Sequence, residues 1–480
     1  MREIALAAWP LLVSALALLW RSERTRPFLL PVASAVHFVA ALWVTLAPSP
    51  ATATGWIESD PVSRAVLPML SLLFLLSSWY GVAYLRARTE RSNRMFVAPF
   101  LALLGLLSLA LQSQHLGLLW VAAEATTLTA IPLLHFNGTA RAFEATWKYL
   151  LIGGTGIALS LLGSFCLGYA EFQGTGVGDL TFRALTDNGP VLSRPWLVAA
   201  WVLLLTGYGT KMGLAPMHTW KPDAYGEAPG VVGVILAGGV TTMAFVAILR
   251  VKQVVEAAGA GAMADRTLLA IGLFSMIVAA LFVLATKDVK RMLAYSSIEH
   301  MGILSVGAAL GGAGLAAALF HVWTNGLTKG AMFLSAGNLR RAAGSSTVRD
   351  VAGMAWRTPD SSRLLVAGLL AITAVPPFGP FFSEMAIVRA AFEGGRWGVA
   401  TLFLIALLLA FAGMSRLVFA IVDGRPRAAS RSSAARFHES PSVVLPPLAF
   451  LVASLWLGLA APGFVRDSWT AAAIALRGAP

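Results

Sequence analysis

Residues 201–217 read WVLLLTGYGTKMGLAPM, an apolar run long enough to enter a bilayer that carries Lys211 and then breaks at Gly213 and Pro216. A charge near the bilayer centre costs at least about 2.5–3.5 kcal/mol on insertion scales, and proline ends the helical hydrogen-bond ladder. Both are retained only where the surroundings are protein-lined and polar. Residues 375–385, VPPFGPFFSEM, repeat the device: Pro376, Pro377 and Gly379 interrupt the helix and Glu384 follows. Two interrupted spans, each beside an ionisable residue, imply an all-α polytopic membrane fold with an interior polar path.

Composition agrees. The 480 residues are 57% hydrophobic and 12% charged, and the mean hydropathy is +0.74. About fourteen apolar spans of membrane-crossing length recur from end to end, which excludes a soluble catalytic domain. Residues 1–94 hold spans one to three, and 95–251 form a first block of five. Residues 267–421 form a second block of five, 422–442 an Arg/Ser-rich cytoplasmic linker, and 443–480 the last span with a tail. Five is odd, so the second block enters the membrane from the opposite side. The interrupted span is fourth in each block, which predicts two inverted five-helix repeats.

The net charge of +13 is a topology signal rather than a nucleic-acid one. Alternate connections carry 22 Lys and Arg on one side against ten on the other, which places the first set, Lys221 among them, in the cytoplasm and both termini outside. The first span reads as a retained helix, not a cleaved signal. A single cysteine, Cys166, excludes an iron–sulfur cluster or a cysteine zinc site within this chain, so redox cofactors belong to partners. The glycines of GYGTKMG (207–213) lack the spacing of a phosphate loop and predict close helix packing.

The candidate path is built from buried titratable groups. Glu124 lies half-way along span five, too short to reach either interface, and a structural carboxylate bonded to threonines is the alternative reading. If Lys211 faces Glu124 each stabilises the other's charge, although a snorkelling lysine is the alternative there. Lys329 lies deep in span eleven with His321 eight residues before it, and Glu299 and His300 open span ten. A histidine near neutral pKa passes a proton either way, while hydrogen-bonded packing is the alternative for each ring alone. Glu384 lies toward the outer end of its span.

Four segments carry a resemblance: KMGLAPMHTWKPDAYGEAP (211–229), DVKRMLAYSSIEHMGIL (288–304), FHVWTNGLTKGAMFLSAGN (320–338) and VPPFGPFFSEMAI (375–387). They resemble the antiporter-like, proton-translocating subunits of complex I, Mrp antiporters and membrane-bound hydrogenases, and are most similar to the hydrogenase-4 component F group. The resemblance implies fourteen helices and a central chain of charged residues in the membrane. By motif it makes Glu124 the acidic residue of the fifth helix, Lys211 its partner, His218 the histidine after the break, Lys329 the lysine of the eleventh helix and Glu384 the terminal group of the twelfth. One departure stands out. Where many relatives carry a lysine on the eighth helix, this chain reads GGVTTMAFVAILR, with Thr241 and Thr242 and no base.

The resemblance implies a non-catalytic, proton-translocating subunit of a multi-subunit redox complex in a prokaryotic cytoplasmic membrane. Its partners are other membrane subunits and a cytoplasmic module holding iron–sulfur and nickel–iron or quinone sites, with no nucleic acid and no metal or cofactor in this chain. A cation/proton antiporter, the membrane subunit of an energy-coupled inorganic-carbon uptake system, and a non-conducting scaffold remain open as alternatives.

Overall fold

The computed structural model describes residues 2–47, 55–424 and 438–476. Most of the expected linker, residues 425–437, lies outside them. Seventeen helices organise the described residues: α1 (Arg2–Leu19), α2 (Leu29–Leu46), α3 (Pro61–Arg86), α4 (Arg94–Gln112), α5 (Leu116–Leu134), α6 (Ala140–Thr175), α7 (Arg194–Met212), α8 (Trp220–Glu227), α9 (Gly230–Ala257, with a π turn at Leu236–Val240), α10 (Gly261–Ala285), α11 (Val289–Leu310), α12 (Gly312–Ala343), α13 (Pro359–Ile372), α14 (Gly379–Glu393), α15 (Trp397–Val422), α16 (Pro441–Ala460) and α17 (Gly463–Ala475), joined by short turns. Among the described residues extended pairing is confined to three isolated bridges. The architecture is all-helical.

Helix starts follow local chemistry. Asp60 accepts from the Ser63 amide at 2.9 Å, Thr139 from Ala142 at 3.0 Å and Asp288 from Lys290 at 2.9 Å, each satisfying an amide that the first helical turn leaves open. Among the described residues ten helices are long and apolar enough to cross a membrane. The helices α7, α11 and α12 fall outside that set and carry the buried lysines, glutamate and histidines of the candidate path. The apolar window of α9 is wholly enclosed by other helices, whereas α1, α2, α15 and α16 present exposed Leu, Val and Trp side chains to the surroundings.

Both predicted interruptions are present. Helix α7 ends at Met212 because Gly213 turns the chain left-handed, at φ +80°, a conformation that costs little only without a Cβ. The chain resumes helically at Trp220. Between α13 and α14, Ala374 sits at φ +54°, a strained choice for alanine at roughly 1–2 kcal/mol. The glycine-rich end of α7 serves packing, as expected: a Cβ on Gly207 would fall 2.5 Å from the Gly156 carbonyl oxygen of α6, so the two backbones approach closely.

Some charges taken as loop signals are structural instead. Arg250, 2% exposed, ties the far end of α9 to α3 and α4: its guanidinium donates to the Ser113 and Leu111 carbonyls at 2.6 Å each, to Asp60 at 2.9 Å and to Ser63 at 3.0 Å. Arg26 is likewise buried between Glu23, Asn93 and the Trp20 carbonyl. Breaking a buried, hydrogen-bonded ion pair costs about 3–5 kcal/mol. Arg250→Met should therefore lower the thermal unfolding temperature of the detergent-solubilised protein by several degrees, and an unchanged Tm would refute the clamp.

Candidate functional site

The first buried pair joins α5 to the end of α7. Lys211 is 1% exposed, so it does not snorkel. Its Nζ donates to Thr127 Oγ1 at 2.5 Å and to the Ala123 carbonyl at 3.1 Å, and the Thr127 hydroxyl donates to Glu124 Oε2 at 3.2 Å. Glu124 and Lys211 form no ion pair within 4.0 Å; one hydroxyl stands between them. Glu124 is half-buried on α5, flanked by the exposed Val121 and Leu128. A hydroxyl is donor and acceptor at once, so the Thr127 bridge has the chemistry to relay a proton between acid and base.

A second cluster is built on α11, α12 and α14. Lys329 is fully buried and donates to Ser296 Oγ at 2.6 Å and to the Leu293 carbonyl at 3.4 Å. Glu299 lies one helical turn after Ser296 on the same helix, and its Oε2 has no protein hydrogen-bond partner. His300 Nδ1 lies 2.9 Å from His321 Nε2, and His321 Nδ1 lies 2.8 Å from Ser383 Oγ. The Ser383 hydroxyl also lies 3.0 Å from the Pro380 carbonyl. Each ring nitrogen of this run is donor or acceptor according to its tautomer. His300 Nε2, at the far side of its ring, has no protein hydrogen-bond partner.

Glu384 ends the run. Its Oε1 lies 4.0 Å from His300 Nδ1, and both carboxylate oxygens are buried without a hydrogen-bond partner. His300, His321 and Glu384 offer ligand atoms within 4.8 Å of one another. The 2.9 Å separation of the facing ring nitrogens suits a hydrogen bond, since two imidazoles on one tetrahedral zinc, each at about 2.0–2.1 Å, stand farther apart. The geometry is that of a hydrogen-bonded run of imidazoles and a hydroxyl with one ring nitrogen unpartnered.

Of the residues expected from sequence, Glu124 and Lys211 come together on one side, and Glu299, His300, His321, Lys329 and Glu384 on the other. His218 joins neither by a hydrogen bond. It is half-buried in the turn after the α7 break, beside the exposed Pro216, with its ring centre 6.3 Å from Phe282 and its Nδ1 unpartnered. Pro376 and Pro377 line the second break and Gly379 opens α14.

Sequence reasoning missed Lys221. Counted with the cytoplasmic connections, it is instead completely buried in the first turn of α8. Its ammonium reaches back across the break to the Met212 carbonyl at 2.7 Å and over to Ser297 Oγ on α11 at 3.1 Å. Buried Tyr149, Trp220 and Tyr225 stack edge-to-face beside it, at 5.1 and 5.9 Å between centroids. The available signal was its position between Trp220 and Pro222, straight after a break: α8 turns back into the protein, not out to water. Lys290, also assigned to a loop, is buried and donates to the Gly226 carbonyl at 2.9 Å and to that of Ala228, holding the end of α8.

Comparison with known proteins is consistent with this framework. The chain is 36% identical to the hydrogenase-4 component F homolog of Methylacidiphilum infernorum (isolate V4), across 70% of this chain and 71% of that protein. It is 31% identical to NADH-quinone oxidoreductase subunit N of Desulforudis audaxviator (strain MP104C), across 83% and 82%. A chain of the membrane-bound sulfane sulfur reductase (MBS), an archaeal respiratory membrane complex, superimposes with a TM-score of 0.86 over 99% of this chain and 97% of that one, at 22% identity. Residues 113–414 match the family described as NADH:quinone oxidoreductase/Mrp antiporter, TM. That stretch contains both clusters and both interrupted helices, and the chain belongs to this family of antiporter-like membrane subunits.

Proposed function

We propose that this chain is a proton-translocating membrane subunit of a multi-subunit oxidoreductase related to hydrogenase-4 and complex I. The observation that carries the reading is the succession of titratable groups inside the helical body, half-buried Glu124 and buried Lys211 at one end and buried Lys329, Glu299, His300, His321 and Glu384 at the other, with hydroxyls or imidazoles bonded at 2.5–3.2 Å to Glu124, Lys211, Lys329, His300 and His321. Buried ionisable groups in membrane spans are costly and rare without an ion path.

The chain crosses the cytoplasmic membrane of a prokaryote fourteen times with both termini outside, counting α7–α8 and α13–α14 as one interrupted crossing each and leaving out α17, which at 13 residues is too short to cross. Two inverted repeats organise the path. In each block the second helix carries a buried or half-buried glutamate, Glu124 on α5 and Glu299 on α11, the third is the longest, at 36 and 32 residues, and the fourth is interrupted. This correspondence supports the repeat where side-chain identity between the blocks does not.

Moving one proton against about 150–200 mV costs roughly 3.5–4.6 kcal/mol. The driving force comes from a partner module carrying iron–sulfur and nickel–iron or quinone sites, coupled through the Glu124–Thr127–Lys211 bridge. The test is purification of the complex from its native membrane in mild detergent, identification of its subunits by mass spectrometry, and reconstitution into vesicles with a pH-sensitive dye. Acidification of the lumen driven by electron transfer and independent of Na⁺ is the expected result. Strict Na⁺ dependence, a soluble zinc protein as the sole companion, or electron transfer with no proton movement would each replace the reading, respectively by antiport, inorganic-carbon uptake or a scaffold.

A further inference from the structure

We infer that Lys221 is the central proton-carrying base of the path, standing in for the lysine that the eighth span lacks; this rests on the proton-translocation reading above. Along α9 the polar side chains nearest the middle are Thr241, whose hydroxyl donates to the Ala237 carbonyl at 2.7 Å, and Thr242, both buried. Neither holds a proton as a cation. The two end clusters therefore have no base between them on α9.

Lys221 fills that place from another helix. One of its contacts is the carbonyl of Met212, the residue next to Lys211, and the other is Ser297, the residue next to the Ser296 that binds Lys329. Adjacent serines on α11 thus hold one ammonium each, one from either half of the protein. The left-handed Gly213 makes this reach possible, since a Cβ there would overlap the Lys221 side chain. Among the described residues no carboxylate lies within 4.0 Å of its ammonium, so Lys221 is not half of a structural salt bridge there.

Charge accounting points the same way. The groups recognised from sequence are three glutamates, Glu124, Glu299 and Glu384, against two lysines, Lys211 and Lys329. Adding Lys221 brings the path groups to three against three, with buried Lys290 outside the count at the end of α8, and a low-dielectric interior favours opposite charges in equal number along one path. In each cycle its amine accepts one proton from the Lys211 side and gives one up on the Lys329 side, returning to its starting state.

The experiment compares Lys221→Met, Lys221→Arg, Ser297→Ala and Lys211→Met in the assembled complex, reading protons moved per electron transferred in vesicles, with subunit co-purification and Tm as checks on assembly. Arginine keeps the charge and the donors to Met212 and Ser297 but does not release a proton. Lys221→Met and Lys221→Arg should both lower the proton-to-electron ratio at least tenfold with the complex intact, and Ser297→Ala, which leaves the lysine in place, should lower it several-fold. Full translocation by Lys221→Arg would overturn the inference and leave a structural clamp. If the complex fails to assemble with Lys221→Met, the Arg and Ser297 variants decide. Wild-type translocation by Lys211→Met would instead overturn the transport reading, and this inference with it.

Discussion

Lys211→Met should abolish proton translocation, by about a hundredfold or more, while leaving the complex assembled. A positioned acid or base contributes roughly 10²–10⁴-fold to the proton transfer it serves, and the thioether that replaces the ammonium carries no proton. Assembly survives for a local reason. Removing one member of a fully buried pair strands the other at about 3–5 kcal/mol, but Glu124 is only half-buried and keeps the Thr127 hydroxyl as donor at 3.2 Å. Methionine also fills the same volume against Tyr149. The check is electron-driven acidification of vesicles beside an unchanged subunit composition. A variant that still pumps at the wild-type ratio would remove Lys211 from the path.

Glu384→Gln should separate transport from stability. Both oxygens of this carboxylate are buried without a hydrogen-bond partner, and its nearest cationic candidate, His300, is 4.0 Å away. A charge so poorly compensated costs stability, and a neutral amide of the same shape relieves that cost. The variant should unfold at a higher temperature than the parent while losing translocation at least tenfold, because glutamine cannot take up and release a proton. A structural carboxylate would show the reverse, a lower Tm and intact transport. Measuring both quantities on one preparation distinguishes the two.

Much of this was legible in the chain because membrane insertion punishes charge and broken backbone. Lys211, Lys329 and the two Gly/Pro interruptions declare themselves against apolar flanks, and glycines without a phosphate-loop spacing read correctly as a packing seam. What the sequence hid is whatever depends on a second helix. Lys211 and Glu124 suggested a direct pair, but the geometry interposes Thr127. Lys221 looked like a loop charge because it follows a break, and only the return of α8 beneath Tyr149 and Trp220 buries it. The serines that hold the ammonium groups, Ser296 and Ser297, sit 33 residues before Lys329 and 76 after Lys221. Nothing in a linear pattern joins such positions. His218, placed on the path by its motif position, makes no hydrogen bond to either cluster, and its half-buried ring lies beside Phe282.

The single-residue joint between α11 and α12, Gly311 at φ +65°, bears on how the protein is made. Neither helix is among those long and apolar enough to cross a membrane on its own, and α11 carries Glu299 while α12 carries Lys329. Joined by one glycine they form a hairpin in which Lys329 is bonded to Ser296 on the opposite arm, so the buried charge is solvated by its own neighbour. The hairpin is therefore expected to insert as a unit, with the groups proposed for ion movement doubling as the contacts that let two reluctant helices insert together.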